Sequence, residues 1–246
     1  MVNKKIIKKN LKKIYKNKVF WGHEKKYRNP KNKNFILFNK NKYDIIDPIK
    51  TIKYIYKAKS ILKKSALSGG IILFIGTKKQ IKNIIKKYAK LVKMPYINYK
   101  WPAGLLTNIK NTRLSIKKKK IIKKQQKTIY KYLSKKEKLL INRKYKKIKK
   151  KFGSISNMNR LPLVAIIVDV NKEIIAVKEA YKKSIYTIGI IDTDSNPDYI
   201  DLPIPANDDL SKSVNYILNK LTKSIFLGIK EREKNIKKKK DEKERN

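Results

Sequence analysis

The order of apolar segments along the chain is the feature that most restricts its fold. Continuous apolar runs such as 71–75 and 163–168 have the pattern of strands that are buried on both faces of a sheet. Helical patterns follow these runs, and strands that alternate with helices in this way indicate an α/β fold with a parallel, doubly wound sheet. The predicted strands are 71–75, 96–99, 163–168 and 187–191, and the predicted helices are 79–92, 173–182 and 208–227.

The remaining segments divide the chain into a core domain and three additions. Residues 1–18 alternate lysines with apolar residues, which predicts a basic N-terminal helix. A hairpin is predicted at 35–46, and Asp47-Pro48 is a favourable start for a helix that stops at Gly69-Gly70. We assign 19–111 and 153–228 to the α/β domain and 112–152 to an inserted arm, and we expect 229–246 to be a charged, disordered tail.

The inserted arm has a pattern of its own and is dense in lysine. Apolar residues at 141, 145, 148 and 152 follow the spacing of a coiled-coil seam. Ser134 and Glu137 form a capping-box pattern, which begins a second helix. These features favour an antiparallel helical hairpin with a narrow apolar seam and a cationic outside over one long helix or a disordered basic segment.

The charge of the chain restricts its partners. There are 66 Lys and Arg residues against 18 Asp and Glu residues, a formal net charge of +48, and repulsion on this scale opposes a compact state unless a polyanion neutralises it. We expect nucleic acid, because each neutralised phosphate releases a counterion. No membrane partner is expected, since no apolar run reaches the roughly eighteen residues of a spanning helix. The absence of cysteine excludes disulfides and thiolate metal sites, and no cofactor is expected.

A doubly wound sheet can bind nucleotides, but the glycine-rich motifs of such sites are absent from the sequence. Gly76-Thr77-Lys78 follows a predicted strand, at the place where ligands bind in these folds. Three residues are weak support, and we interpret them as a basic strand-to-helix turn. Trp101 lies in the apolar turn Trp101-Pro102-Ala103-Gly104, where it either stacks on a base or fills the core.

A group of carboxylates follows the last predicted strand, at Asp192, Asp194, Asp198 and Asp201. An apolar strand that ends in Asp-x-Asp resembles the first motif of haloacid-dehalogenase phosphotransferases, in which Asp192 would be the nucleophile and Asp194 the acid/base. Little chain follows the motif, so this magnesium-dependent enzyme is kept only as an alternative, and no catalytic residue is predicted. The acids otherwise cap helices and pair with lysines, and Asp192 and Asp198 are weak candidates for holding a structural divalent cation.

Several segments, in this order, resemble the bacterial type of the ribosomal protein S2 family over about residues 15–228. They begin with Gly22-His23, Arg28-Asn29-Pro30-Lys31, Ile46-Asp47 and Ile75-Gly76-Thr77-Lys78. Met94-Pro95-Tyr96-Ile97-Asn98, Trp101 with Gly104-Leu105-Leu106-Thr107-Asn108, and Arg160-Leu161-Pro162 follow. The set ends with Gly189-Ile190-Ile191-Asp192-Thr193, Asn196-Pro197-Asp198 and Pro203-Ile204-Pro205-Ala206-Asn207-Asp208-Asp209.

This resemblance implies a flavodoxin-like domain with a protruding helical hairpin, and a structural role on the solvent side of the small ribosomal subunit, between its head and body. The implied partners are small-subunit rRNA, neighbouring small-subunit proteins and, where it exists, the large messenger-binding protein S1; no homo-oligomer is expected. The chain departs from the family at Phe20, where a histidine is usual, and at Pro102 and Ser195. The change at position 20 puts the His/Asp metal site of the family in doubt.

We expect architectural RNA binding, by phosphate neutralisation and shape with little reading of bases. The predicted rRNA contacts are Lys25, Arg28, Lys31, Lys78, Lys79, Lys100, Asn108, Lys110, Arg113 and Arg160, with the arm lysines as a second surface. The abundance of Lys, Ile, Asn and Tyr indicates an AT-rich genome, and the segments 203–209 and 218–221 look plastid-like. These features predict an organellar ribosome, of a plastid such as an apicoplast or alternatively of a mitochondrion.

Overall fold

A computed structural model of the protein describes residues 4–128, 132–156, 158 and 160–245. Its helices are α1 (Lys4–Lys16), α2 (Pro48–Leu67), α3 (Lys82–Leu91), α4 (Ile109–Thr128), α5 (Lys135–Phe152), α6 (Ile174–Lys182) and α7 (Ser211–Arg245). Its strands are β1 (Trp21–Glu24), β2 (Ile36–Lys40), β3 (Tyr43–Ile46), β4 (Ile72–Ile75), β5 (Tyr96–Ile97), β6 (Val164–Val168), β7 (Tyr186–Ile191) and β8 (Leu202–Pro205). None of the helices in these ranges is long and apolar enough to cross a membrane.

The central sheet has five parallel strands in the order β5-β4-β6-β7-β8. Numbered from β4, this is the 2-1-3-4-5 order of flavodoxin-like sheets, and the predicted fold class is confirmed. The sequence pattern does not predict β8, because Pro203 and Pro205 interrupt its apolar run. β8 lies at the edge of the sheet, where a residue without an N–H group is tolerated.

Alternate side chains of the strands face two different helical layers. Ile72 and Phe74 pack in the layer of α2, α3 and α7, whereas Leu73 and Ile75 pack in the layer of α6 and the loop 101–106. All four side chains are fully buried. Burial on both faces explains why the strand is a continuous apolar run and does not alternate with polar residues.

A small antiparallel sheet, in the order β1-β3-β2, covers the carboxyl ends of β7 and β8. The side-chain amide of Asn32 donates to the carbonyl oxygens of Asp192 (2.9 Å) and Ser195 (2.6 Å). The N–H of His23 donates to Oγ1 of Thr193 at 3.0 Å. A Cβ at Gly22 would lie 2.7 Å from Cγ2 of Thr193, so this approach requires glycine. The N-terminal segment therefore covers the carboxyl-terminal end of β7.

The termini of α2 follow the sequence signals. Oδ1 of Asp47 accepts hydrogen bonds from the N–H groups of Ile49 (2.8 Å) and Lys50 (3.3 Å), and this predicted cap is confirmed. The helix ends before Gly69, which has a φ of 77°, a conformation that glycine adopts without strain. α2 packs along α7, and among the described residues these two helices form the most extensive helix–helix contact.

The C-terminal segment differs from the expectation. α7 continues as a helix to Arg245, so the prediction of a disordered tail at 229–246 is wrong for the described residues. Nζ of Lys63 lies 2.7 Å from Oε1 of Glu231, and the guanidinium of Arg232 lies against Gly69. The C-terminal end of α2 favours a nearby cation. Residues of α7 beyond 228 therefore find partners at the end of α2. The charged composition of this segment does not prevent it from forming a helix.

The two helices of the inserted segment, α4 and α5, pack against each other. Ile121 lines the same gap as Ile141 and Ile148, as expected for antiparallel helices. The predicted capping box is confirmed, because Oγ of Ser134 accepts from the N–H of Glu137 (3.3 Å) while Oε2 of Glu137 accepts from the N–H of Ser134 (3.0 Å). No residue of α5 is fully buried, so the apolar seam is narrow.

Glu179 of α6 fixes the loop that leads into α4. Its carboxylate accepts hydrogen bonds from Nε1 of Trp101 (3.0 Å) and from the N–H groups of Gly104 (2.7 Å) and Leu106 (3.0 Å). Trp101 is only 8% exposed, so it fills the core and does not stack on a base. Hydrogen bonds to an ionised carboxylate are among the stronger ones, and they hold the root of the arm against α6.

Replacement of Glu179 by Gln should lower the free energy of unfolding by about 2–4 kcal/mol, because an amide NH2 group would then face N–H donors in a buried loop. Urea unfolding measures this difference. The matched control is Lys178→Gln on the exposed side of the same helix, for which a change within about 0.5 kcal/mol is expected. Equal stabilities of the two variants would show that Glu179 does not hold the loop.

Candidate nucleic-acid interface

The N-terminal group of predicted RNA contacts contains both exposed and structurally engaged residues. Lys25 lies exposed in a short 3-10 helix. Nε of Arg28 donates to Oδ2 of Asp44 at 2.7 Å, and its Nη2 contacts Oδ1 of the same fully buried carboxylate. Nζ of Lys31 pairs with Asp198 at the surface. Arg28 is therefore a structural ion that fixes Asp44, while Lys25 is available to a partner.

Lys78 lies within an acidic cluster and is mostly buried. Its Nζ is 3.1 Å from Oδ2 of Asp169 and 3.3 Å from Oδ1 of Asp208, and it also contacts Asp209. Burial alone would lower the pKa of Lys78, but the three carboxylates outweigh it and hold the pKa above its usual value. A phosphate could reach Lys78 only by displacing these carboxylates. Lys79, one residue further, is exposed.

The other predicted contacts lie in two places. The exposed residues at the root of the arm are Lys100, Asn108, Lys110 and Arg113. Oδ1 of Asn108 accepts from the N–H of Asn111 at 3.2 Å, at the start of α4. Arg160 lies apart from these residues. Its Nη2 donates to the carbonyl of Gly69 at 2.5 Å, and Gly69 precedes β4, so this contact lies at the amino-terminal end of the strand. Lys100, Asn108, Lys110 and Arg113 are therefore exposed near the start of the arm, whereas Arg160 is engaged elsewhere.

His23 contacts the carboxylates that follow β7 and β8. Its Nδ1 lies 3.2 Å from Oδ2 of Asp192, and its Nε2 lies 3.0 Å from Oδ2 of Asp209. Nδ1 of His23 and Oδ2 of Asp192 are not aligned for a hydrogen bond, so their contact is an ion pair. The contact with Asp192 raises the pKa of His23 to about 9, against the opposing effect of burial; the charges of Asp194 and Asp209 add to the rise. Burial raises the pKa of Asp192, and His23 counteracts this effect.

The carboxyl edge of the sheet, where doubly wound folds bind ligands, is filled by the protein's own groups. Oε1 of Glu173 accepts hydrogen bonds from the N–H (2.9 Å) and the hydroxyl (2.5 Å) of Thr77, so a carboxylate occupies the turn where a phosphate would bind. Asp192 is buried, whereas Asp198 pairs with Lys31 at the surface. Within the described ranges, no group of three His, Asp or Glu side chains has the geometry of a metal site.

A groove of about 900 Å³ lies between α3 and the two arm helices. Each helix contributes three lysines to its walls, which are Lys82, Lys86 and Lys90 from α3, Lys119, Lys120 and Lys123 from α4, and Lys146, Lys149 and Lys150 from α5. Neutral polar and aromatic side chains complete the lining, among them Asn83, Asn98, Ser154, Ser156, Tyr96, Tyr99 and Tyr145. No Asp or Glu occurs among the described residues that line the groove. The groove therefore concentrates nine lysines on one concave surface.

The α3 wall of this groove is absent from the contacts predicted by sequence. Lys82, Lys86 and Lys90 recur at steps of four, which places them on one face of a helix. That periodicity is the signal that would have identified them. The arm lysines were predicted as a surface, but only the packing of α3 beside the arm shows that the two sets of lysines face each other.

Comparisons with known proteins agree in pointing to one family. The family model described as ribosomal protein S2 matches residues 14–228. A small ribosomal subunit protein uS2 of Karelsulcia muelleri is 49% identical over 88% of this chain and 98% of the relative. The uS2 of Flavobacterium johnsoniae is 42% identical over 87% of this chain and 85% of the relative. The uS2 of Helicobacter acinonychis is 37% identical over 85% of this chain and 86% of the relative.

The raised pKa of His23 predicts a pH-dependent stability. Because the folded-state pKa lies above the unfolded value of 6.5, the stabilisation is fully present below about pH 6.5 and is lost as the pH rises through about 9. Between about pH 6 and pH 9.5, the free energy of unfolding should fall by on the order of 2 kcal/mol more in the wild type than in His23→Gln. Urea unfolding at both pH values tests this, and identical pH profiles for the two proteins would contradict it.

Proposed function

The chain belongs to the ribosomal protein S2 family, whose members are structural proteins and not enzymes, and we propose that it is a constituent of the small ribosomal subunit that binds small-subunit rRNA. The family match supports membership in the small ribosomal subunit, and the distribution of charge supports rRNA as the ligand. The proposed role needs no cofactor.

The observation that carries rRNA binding is the one-sided charge of the arm. Glu137 is the only carboxylate in 112–152, and it is used in the capping box of α5. The carboxylates of the α/β domain, by contrast, pair internally with groups such as Lys78 and His23. One carboxylate leaves most of the positive charge of the arm uncompensated, and a polyanion with dense phosphates is the partner that compensates it.

The finer position in the particle is part of the same proposal. We place the protein on the solvent side of the small subunit, between head and body, beside neighbouring small-subunit proteins and, where it exists, protein S1. The support is the resemblance of the ordered motifs to the bacterial type of the family. Lys100, Lys110 and Arg113, near the start of the arm, are predicted contacts that are exposed.

The organellar origin also stays a prediction. Ribosomal location follows from the family, but the relatives named above are all bacterial. An AT-rich bacterial genome would produce the same abundance of Lys, Ile, Asn and Tyr as a plastid, an apicoplast or a mitochondrial genome. Sequencing the DNA of separated cell fractions decides where the gene lies.

The phosphotransferase alternative is wrong. The family is not one of enzymes, and the carboxylate of Asp192 is buried beneath His23. Asp194 has its own hydrogen bonds, as it accepts from the amide of Asn171 at 3.0 Å. The Asp-x-Asp motif therefore serves to join the N-terminal sheet to the main sheet.

Binding of the full chain to a small-subunit rRNA transcript should weaken by about 10³-fold or more between 50 and 200 mM salt, because roughly six or more phosphates are neutralised. Filter binding over a salt series measures the slope. A non-ribosomal transcript of equal length gives the non-specific baseline. A flat salt response, or absence of the native protein from small-subunit fractions in a sucrose gradient, would contradict the proposed function.

A further inference from the structure

We propose that the groove between α3 and the arm is a seat for one stretch of RNA sugar-phosphate backbone, an inference that rests on the proposed function and assigns it to a defined site. Lysines project from all three helices that form the groove, and no acidic side chain occurs among its described lining residues. In a chain that pairs so many of its carboxylates with nearby cations, a concave surface that lacks acids selects an anionic ligand.

The groove lysines repel one another in the absence of a ligand. Burial lowers the pKa of Lys119, and the charges of Lys123, Lys149 and Lys120 lower it further. Lys119 and Lys149 belong to different arm helices, so the two helices bring like charges together across the hairpin. An anion placed between them removes this repulsion, and binding is therefore favoured by relief of a cost that the free protein carries.

Residues that line the groove connect α3 to α5. Nζ of Lys150 lies 3.9 Å from the ring centroid of Tyr99, and Nζ of Lys82 lies 5.3 Å from the same centroid. The side-chain amide of Asn98 donates to the carbonyl of Lys82 at 3.1 Å, which ties the segment after β5 to α3. Tyr99 thus contacts lysines of both α3 and α5 through its ring.

The lining favours a phosphate backbone over an acidic peptide or a membrane. Lys82, Lys86 and Lys90 repeat about once per helical turn, so their positive charges form a row. The phosphates of a nucleic-acid strand form a row of negative charges. Asn83 and Ser156 add neutral donors of the kind that bind phosphate oxygens. Ile116, the one aliphatic side chain among the described lining residues, is only 8% exposed, so the groove offers no open aliphatic pocket for the side chain of a peptide. The concave shape does not fit a bilayer surface.

The test compares two triple variants of the full chain. The groove variant is Lys86→Gln, Lys119→Gln and Lys149→Gln, one change on each of the three helices that form the groove. The control is Lys178→Gln, Lys182→Gln and Lys183→Gln, all exposed on and just after α6. For a small-subunit rRNA transcript, the slope of log K against log salt should become shallower by about 2 in the groove variant, from three lost phosphate contacts, and should not change in the control. Equal slopes in the groove variant and the wild type would overturn the site but leave the proposed function intact.

Lysine acetylation followed by mass spectrometry gives a second readout, which uses the wild-type protein and needs no substitution. Addition of the transcript should protect the groove lysines and leave Lys178, Lys182 and Lys183 reactive. Polyglutamate at equal charge concentration is the competing probe, and equal protection by it would overturn the assignment to a sugar-phosphate backbone. Failure of the wild type to bind the transcript at all would overturn the proposed function, which is a result distinct from unprotected groove lysines in a protein that binds.

Discussion

Repulsion among basic residues is the constraint to which the rest of the structure is adapted, because 66 Lys and Arg residues face 18 Asp and Glu residues. Many of the carboxylates lie where the N-terminal sheet meets the carboxyl ends of the main strands. There they pair with Lys78, His23 and Arg28. These contacts are buried or half-buried, so salt screens them less than surface pairs. The α/β domain therefore compensates its interior charge, while the arm keeps an excess.

The same region shows how the carboxyl ends of the strands are occupied by the protein's own side chains. The carboxyl edge of such a sheet is open to ligands when its turns present free N–H groups. Here Glu173 accepts from Thr77, and β1 with His23 covers the ends of β7 and β8. The proposed binding of RNA accordingly uses basic surfaces outside this ligand position, in agreement with the rule that a fold alone does not specify activity.

The arm connects packing to binding. No residue of α5 is fully buried, so the hairpin depends on a narrow seam and on its root, which Glu179 fixes against α6. The lysines that the hairpin brings together, such as Lys119 and Lys149, make its own folded form costly in isolation. Neutralisation by phosphate offsets this cost, which couples the geometry of the arm to the proposed partner.

Local patterns let the sequence determine the buried strands, the caps at Asp47 and Ser134 and the need for a polyanion, because each depends on near neighbours or on composition alone. The edge strand β8 was missed because its prolines are acceptable only at an edge, which is a property of the assembled sheet. Tertiary structure decided which cations remain available. Lys78 meets Asp208, which is 130 positions away, and is withdrawn from the surface, whereas Lys86 and Lys90 of α3 line a groove that has no acidic side chain among its described lining residues. The charge of a side chain follows from its residue type. Its ion-pair partner can lie in a distant segment of the chain, and only folding brings the two together.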